Sequence, residues 1–148
     1  IGGHQKDLVK WKNRISYENV FFYGFVPHKE IGDYINALDV CLLPNQKEVY
    51  TQEEMRTDSN ISNISRFTSP LKLFEYMSHK KPIIASDIPV LREVLNEKNS
   101  ILVKYDDVTS WINSIENLKD LEKRKIISSN ALYDFKPYTW KNRAKLVI

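Results

Sequence analysis

The chain has 148 residues, 42% hydrophobic and 28% charged, with 22 Lys and Arg against 19 Asp and Glu and a net charge of +3. These values are those of one globular domain, and they exclude disorder or collagen-like order as the main state. No apolar run approaches the roughly 18 residues of a membrane-spanning helix. Cys41 is the one cysteine, which leaves no intrachain disulfide and no cysteine-based zinc site.

A single unpaired cysteine points to a reducing compartment, and the cytoplasm is the expectation. The small positive excess does not argue for nucleic acid; it suits an anionic small ligand or an anionic membrane surface.

Ile1-Gly2-Gly3 reads as the end of a strand turning into a loop. Over residues 5–15, Leu8, Trp11 and Ile15 fall at helical spacing. Residues 19–24 form an apolar, aromatic run closed by Gly24, which predicts a buried strand. Pro27 then opens a helix as its first residue, carrying Ile31, Tyr34, Ile35 and Leu38. Residues 39–44 predict a second buried strand, stopped by Pro44.

Residues 45–68 break the rhythm with a long, polar, charged loop that contains the tandem repeat Asn60-Ile61-Ser62-Asn63-Ile64-Ser65. Loops of this length inside a domain are commonly functional. A helix resumes with Ser69 as its N-cap and Pro70 as its first residue, and Leu71, Leu73, Phe74 and Met77 form its apolar face. Residues 82–86 predict a third buried strand, 87–95 a short helix with Asp87 as its cap, and 100–103 a fourth strand. Helices over 107–118, 119–135 and 139–148 close the chain.

Short apolar strands alternating with amphipathic helices predict an α/β protein, a Rossmann-like three-layer sandwich with a parallel sheet. Ligands of such sheets bind beyond the carboxyl ends of the strands. The 44–68 loop and the helix that starts near Ser69 lie on that side.

Thr68 and Ser69 place two hydroxyls beside the free N–H groups of a helix start, which together make an anion site. Lys72 adds a cation in the first turn. Glu75, one turn on, is placed to accept two hydrogen bonds from a diol such as a ribose. Phosphate at the helix start and ribose one turn along fits a nucleoside diphosphate. By spacing alone, an ordinary capped helix with an exposed Lys and Glu accounts for the same residues.

His4, His28 and His79 show no metal-ligand spacing and read as surface or capping residues, and Cys41 reads as a small buried hydrophobe. Glu93 reads as a capping or packing residue as readily as a ligand contact. Lys119, Lys123, Arg124 and Lys125, extended by Lys136, Lys141, Arg143 and Lys145, form a basic run. Its plain reading is a solvated helix face, and its sharper one is peripheral contact with an anionic bilayer.

The run Ser69-Pro-Leu-Lys-Leu-Phe-Glu-Tyr-Met77, followed by Lys81-Pro-Ile-Ile-Ala-Ser-Asp-Ile-Pro-Val-Leu-Arg-Glu93, resembles the donor-binding C-terminal domain of group 1 (family 4) retaining GT-B glycosyltransferases. Ile1-Gly-Gly, Asn19-Val-Phe-Phe-Tyr-Gly-Phe-Val26, Ala37-Leu-Asp-Val-Cys-Leu-Leu-Pro44 and Trp140-Lys-Asn-Arg-Ala144 resemble further motifs of that family, in the same order.

The resemblance implies that Glu75 holds the ribose hydroxyls and that the backbone N–H groups of Leu71 and Lys72 meet the diphosphate. It places Phe25 and Val26 beside the base, and Pro44 and Asn45 at the strand end beneath the nucleotide. It implies transfer of a sugar, with retention, from a UDP- or GDP-sugar to a glycan or lipid-linked acceptor. No metal or other cofactor is implied, and no catalytic residue is assignable without the acceptor-binding domain. Residues 1–148 are then a fragment of a longer two-domain enzyme, lacking the first strand–helix unit of the donor domain and inactive alone.

Two positions depart from the family pattern. Phe67 stands where the first Glu of a Glu-seven-residues-Glu motif touches the donor sugar, and Thr68 and Ser69 are expected to take over polar contacts there. Lys80 stands where Gly is usual before Lys-Pro, so a left-handed Lys80 is expected, at a cost of about 1 kcal/mol. Phe67 favours an alternative, a degenerate non-catalytic module binding a nucleotide or a protein. A sugar-nucleotide epimerase is a third reading, against which the Ser69–Glu75 run argues.

Overall fold

The computed structural model describes residues 5–47 and 70–145. The chain divides into two compact units, Ile1–Ala37 and Leu38–Ile148.

The first unit contains α1 (Gln5–Arg14) and α2 (His28–Ala37). Helix α1 buries no residue; Leu8 on it is half-buried. Gly24 has φ +74, and a Cβ built there would stand 2.7 Å from Leu8 Cδ1. Only glycine meets both conditions without strain or displacement. The Tyr23 ring meets Tyr34 of α2 edge to face, with centroids 5.5 Å apart.

Residues 19–24, expected as a buried strand, pair with no strand among the described residues. The segment keeps a strand's alternation: Gly24 and Val26 are buried, while Phe21, Tyr23 and Phe25 are 60–78% exposed. Apolarity and β propensity are present, but among the described residues no ladder satisfies the backbone as a sheet requires.

The second unit is built on a three-stranded parallel sheet in the order β1-β2-β3, with β1 at Cys41–Leu43, β2 at Ile83–Ser86 and β3 at Ile101–Val103. Cys41 stands opposite Ile83, and Ile84 opposite Ile101. Between and after the strands come α3 (Leu71–Ser78), α4 (Pro89–Arg92), α5 (Val108–Asn117), α6 (Leu121–Phe135), a 3-10 turn (Lys136–Tyr138) and α7 (Trp140–Ala144).

Strand β2 is buried along its whole length and sorts the core into two faces. Ile83 and Ala85 pack with Leu43, with Leu73 and Met77 of α3, and with Leu91 beyond β2. Ile84 packs on the other side with Val103, Leu118 and Trp111 of α5. Helix α6 contributes Ala131 to the first cluster and Ile127 to the second. This is the three-layer α/β arrangement expected of strands that are apolar on both faces. Side-chain caps start the late helices: Asp107 accepts from Ser110 N–H, Asp120 from Glu122 and Lys123 N–H, and Thr139 from Asn142 N–H.

Four local expectations are corrected. Pro70 is the N-cap of α3, not its first residue, and Leu71 is 73% exposed, off the core face. Pro27 likewise precedes α2. In both places the proline carbonyl accepts an N–H three residues on, from Leu73 and from Glu30. Asp87 does not cap the helix after β2; Ile88 holds the cap position. The Asp87 carboxylate instead takes both Nε and Nη2 of Arg92, the latter at 2.9 Å. The bidentate guanidinium fixes that turn and holds the Asp87 carboxyl below its ordinary range.

Candidate functional site

Because β1 and β2 are parallel, the chain must return between them. The start of α3 therefore lies on the side of the sheet where β1 and β2 end, the expected ligand side. Pro70 has extended backbone (φ −72, ψ 120) and offers no side-chain cap. The Leu73 N–H is taken by Pro70 O at 3.0 Å. The N–H groups of Leu71 and Lys72 have no partner among the described residues, so α3 presents two uncommitted donors at its positive end.

Lys72 is exposed, and Glu75 is half-buried one turn further along. Neither side chain has a hydrogen-bond or ion-pair partner among the described residues. Within the described residues the Glu75 carboxylate is thus open to accept from a ligand. Its charge is felt nearby. Burial chiefly, and then Cys41 and Glu75, push the Tyr76 hydroxyl above its ordinary pKa. Cys41, on β1, is itself pushed up to about 11 by burial, an effect Lys81 partly offsets.

Helix α3 ends in a Schellman turn. Lys80 N–H reaches Met77 O at 3.1 Å, Lys81 N–H reaches Tyr76 O at 3.0 Å, and Lys80 is left-handed (φ 53). The expected strain at Lys80 is thus present. His79, expected as a surface or capping residue, caps the end of α3, and Ser78, which sequence reasoning did not single out, joins it: both side chains hydrogen-bond the Glu75 carbonyl. The signal available was a hydroxyl and an imidazole side by side at a helix C-terminus, where both side-chain types reach back to free carbonyls.

The other expected site residues fall as follows. Asn45 is half-buried just beyond β1, its N–H bonded to Leu43 O at 2.9 Å. Phe25 (exposed) and Val26 (buried) belong to the first unit. Phe67, Thr68 and Ser69 lie outside the described residues. Leu71, Lys72 and Glu75 are therefore the site residues that the structure brings together, on one helix.

A groove of about 300 Å³ lies elsewhere, between the end of β3 and α5, lined by Lys104, Ser110, Asn113 and Asn117 among others. Its hydroxyls are already engaged, Ser110 with Asp107 and Ser114 with Ser110 O. The basic run is likewise largely tied to its own surface. Lys119 pairs with Glu116, Lys125 with Glu122 at 2.7 Å, and Arg124 donates to Leu118 O. No group of three or more His, Cys, Asp or Glu among the described residues is arranged to hold a metal ion. No helix among them is long and apolar enough to cross a membrane.

Comparison with known proteins bears on this arrangement. Residues 1–120 match a family model described as glycosyl transferases group 1. A Bacillus subtilis (strain 168) protein, TuaH, described as a teichuronic acid biosynthesis glycosyltransferase, is 25% identical over 81 residues, 55% of this chain and 17% of that protein. Two solved structures share the fold. Sucrose-phosphate synthase from Thermosynechococcus elongatus has a TM-score of 0.69 and 23% identity, covering 96% of this chain and 31% of its own. Anabaena HepE in complex with UDP-glucose has a TM-score of 0.63 and 20% identity, covering 96% and 36%. The chain spans about a third or less of the length of each of these proteins.

Proposed function

The chain belongs to the group 1 glycosyl transferases, and we propose that it is the sugar-nucleotide-binding portion of such an enzyme. In this reading the N–H groups of Leu71 and Lys72, with the Lys72 ammonium, receive the diphosphate of a UDP- or GDP-sugar. Glu75 accepts hydrogen bonds from the ribose diol. Thr68 and Ser69 contribute polar contacts, Phe25 and Val26 flank the base, and Asn45 lies at the strand end below. The uncommitted N–H groups, the helix dipole and Lys72 stabilise the anionic leaving group without a metal. The sugar passes, with retention, to a glycan or lipid-linked acceptor held by a second domain.

The observation that carries this reading is Glu75, half-buried and without a side-chain partner among the described residues, one turn from the Leu71 and Lys72 N–H groups, which are likewise uncommitted among those residues. The UDP-glucose bound to the HepE neighbour supports a nucleotide-sugar ligand for this fold.

The test is a thermal melt of the complete protein with millimolar UDP, GDP, ADP or phosphate. A ligand that binds only the folded state raises the midpoint in proportion to its occupancy. UDP or GDP is expected to raise it. Glu75→Ala is expected to weaken nucleotide binding by about 10- to 100-fold, the worth of a charge-assisted hydrogen-bond pair. Phe67 favours the second reading, a non-catalytic module, which predicts no shift with any of the four ligands. Sedimentation with anionic vesicles checks the peripheral membrane contact that the basic run suggests.

A further inference from the structure

We propose that Ser78 and His79 are positioning residues for Glu75. They pin the last turn of α3 so that the Glu75 carboxylate is held where it meets the ribose diol. The proposal rests on the ribose reading given above.

The main-chain carbonyl of Glu75 accepts from three donors. His79 N–H lies at 3.1 Å, Ser78 Oγ at 2.8 Å and His79 Nδ1 at 2.8 Å. A helical carbonyl ordinarily receives one bond, from the N–H four residues on. A carbonyl can only accept, so His79 Nδ1 must carry the proton, which fixes the tautomer. The same Nδ1–H lies 3.2 Å from Ser78 Oγ, so the hydroxyl and the imidazole also brace each other.

These bonds converge where the helix needs them. Helix α3 has eight residues, below the roughly 12–15 at which an isolated helix holds. Its last turn runs into a left-handed lysine, a strained conformation for any residue but glycine. The Glu75 carboxylate has no partner among the described residues, so the backbone of this turn sets the origin and Cα–Cβ direction from which its side-chain torsions place it. Loosening the C-terminal turn moves that carboxylate. The Leu71 and Lys72 N–H groups, at the opposite end of α3, are left where they are.

This separation along α3 makes the proposal testable by calorimetric titration of the complete protein. The probes are UDP and GDP, their 2′,3′-dideoxy counterparts, and pyrophosphate. Ser78→Ala and His79→Ala are each expected to weaken the diol-bearing nucleotide by about threefold to tenfold, the worth of a lost neutral hydrogen bond. The dideoxy nucleotides and pyrophosphate should bind as before. Ser78→Thr and His79→Asn, which restore a donor near the same carbonyl, should recover most of the loss. If Ser78→Ala does not fold, Ser78→Cys carries the measurement.

Equal weakening of all three probes overturns the proposal, because it describes general loosening. So does unchanged discrimination in the alanine variants while Glu75→Ala abolishes it. If Glu75→Ala itself leaves diol discrimination intact, the ribose reading fails, and that result is distinct from failure of the positioning pair alone.

Discussion

Two apolar segments of this chain have met different fates. Ile83–Ser86 forms β2, buried along its length, with a strand on each edge and core clusters against each face. Residues 20–26 are as rich in β-formers, yet they pair with no strand among the described residues and expose Phe21, Tyr23 and Phe25. The difference lies in the neighbours found among the described residues, since composition favours a strand in each case. A strand is stabilised by partners that satisfy its N–H and C=O groups and by helices that cover its faces. β propensity alone contributes little more than a bias.

The comparison can be broken by mutation, starting where the effect is greatest. Leu73→Ala, under β2, should cost about 2–5 kcal/mol in a urea denaturation series, because it empties a fully buried position of the core. Phe21→Ala should stay within about 0.5 kcal/mol in the same assay. Similar losses for the two would refute the contrast. Gly24→Ala comes next, at about 1–2 kcal/mol for the left-handed φ alone. Part of any further cost is relieved by movement of the flexible end of Leu8. Hydrogen exchange should show the loss confined to the first unit.

Two smaller effects run the other way. Lys80→Gly should raise the thermal midpoint by the equivalent of about 0.5–1 kcal/mol, left-handed strain relieved less the added freedom of the unfolded chain. A lower midpoint would show that the lysine side chain does more than tolerate its conformation. Ser86→Ala should lie within about 0.5 kcal/mol of neutral or slightly stabilise. Its fully buried Oγ has no hydrogen-bond partner among the described residues, so within them the hydroxyl is desolvated without compensation.

The three strands of the sheet were legible in the sequence because their flanks are unambiguous. Pro44 stops β1, Pro82 precedes β2, and Lys104 ends the apolar run of β3. The fold class followed from their alternation with helices. Helix starts were legible only to within a residue. Pro27 and Pro70 were read as first helical residues, but each sits one place earlier and accepts an N–H through its carbonyl. Asp87 was read as a cap because caps are local. Arg92, five residues on, offers two donors where a cap offers backbone N–H groups, and it captures the carboxylate.

Of the candidate site, the spacing of Leu71, Lys72 and Glu75 was visible beforehand. The absence of competing partners for Glu75 among the described residues was not, because that is a property of the surroundings. The tie between buried Asn99 and Asp134, at 2.8 Å across 35 residues, is of the same kind. Neither position carries a local signal of the other.

Cys41 gives the sheet its own clock. It is the single thiol of the chain, fully enclosed on β1, the outer strand of the three-strand ladder among the described residues. With its proton held until about pH 11, the native thiol offers almost no thiolate at neutral pH. A thiol-specific reagent therefore reacts only with molecules in which β1 has opened. The slow rate of that reaction measures how often the margin of the sheet comes undone, and occupancy of the neighbouring α3 by nucleotide should lengthen it.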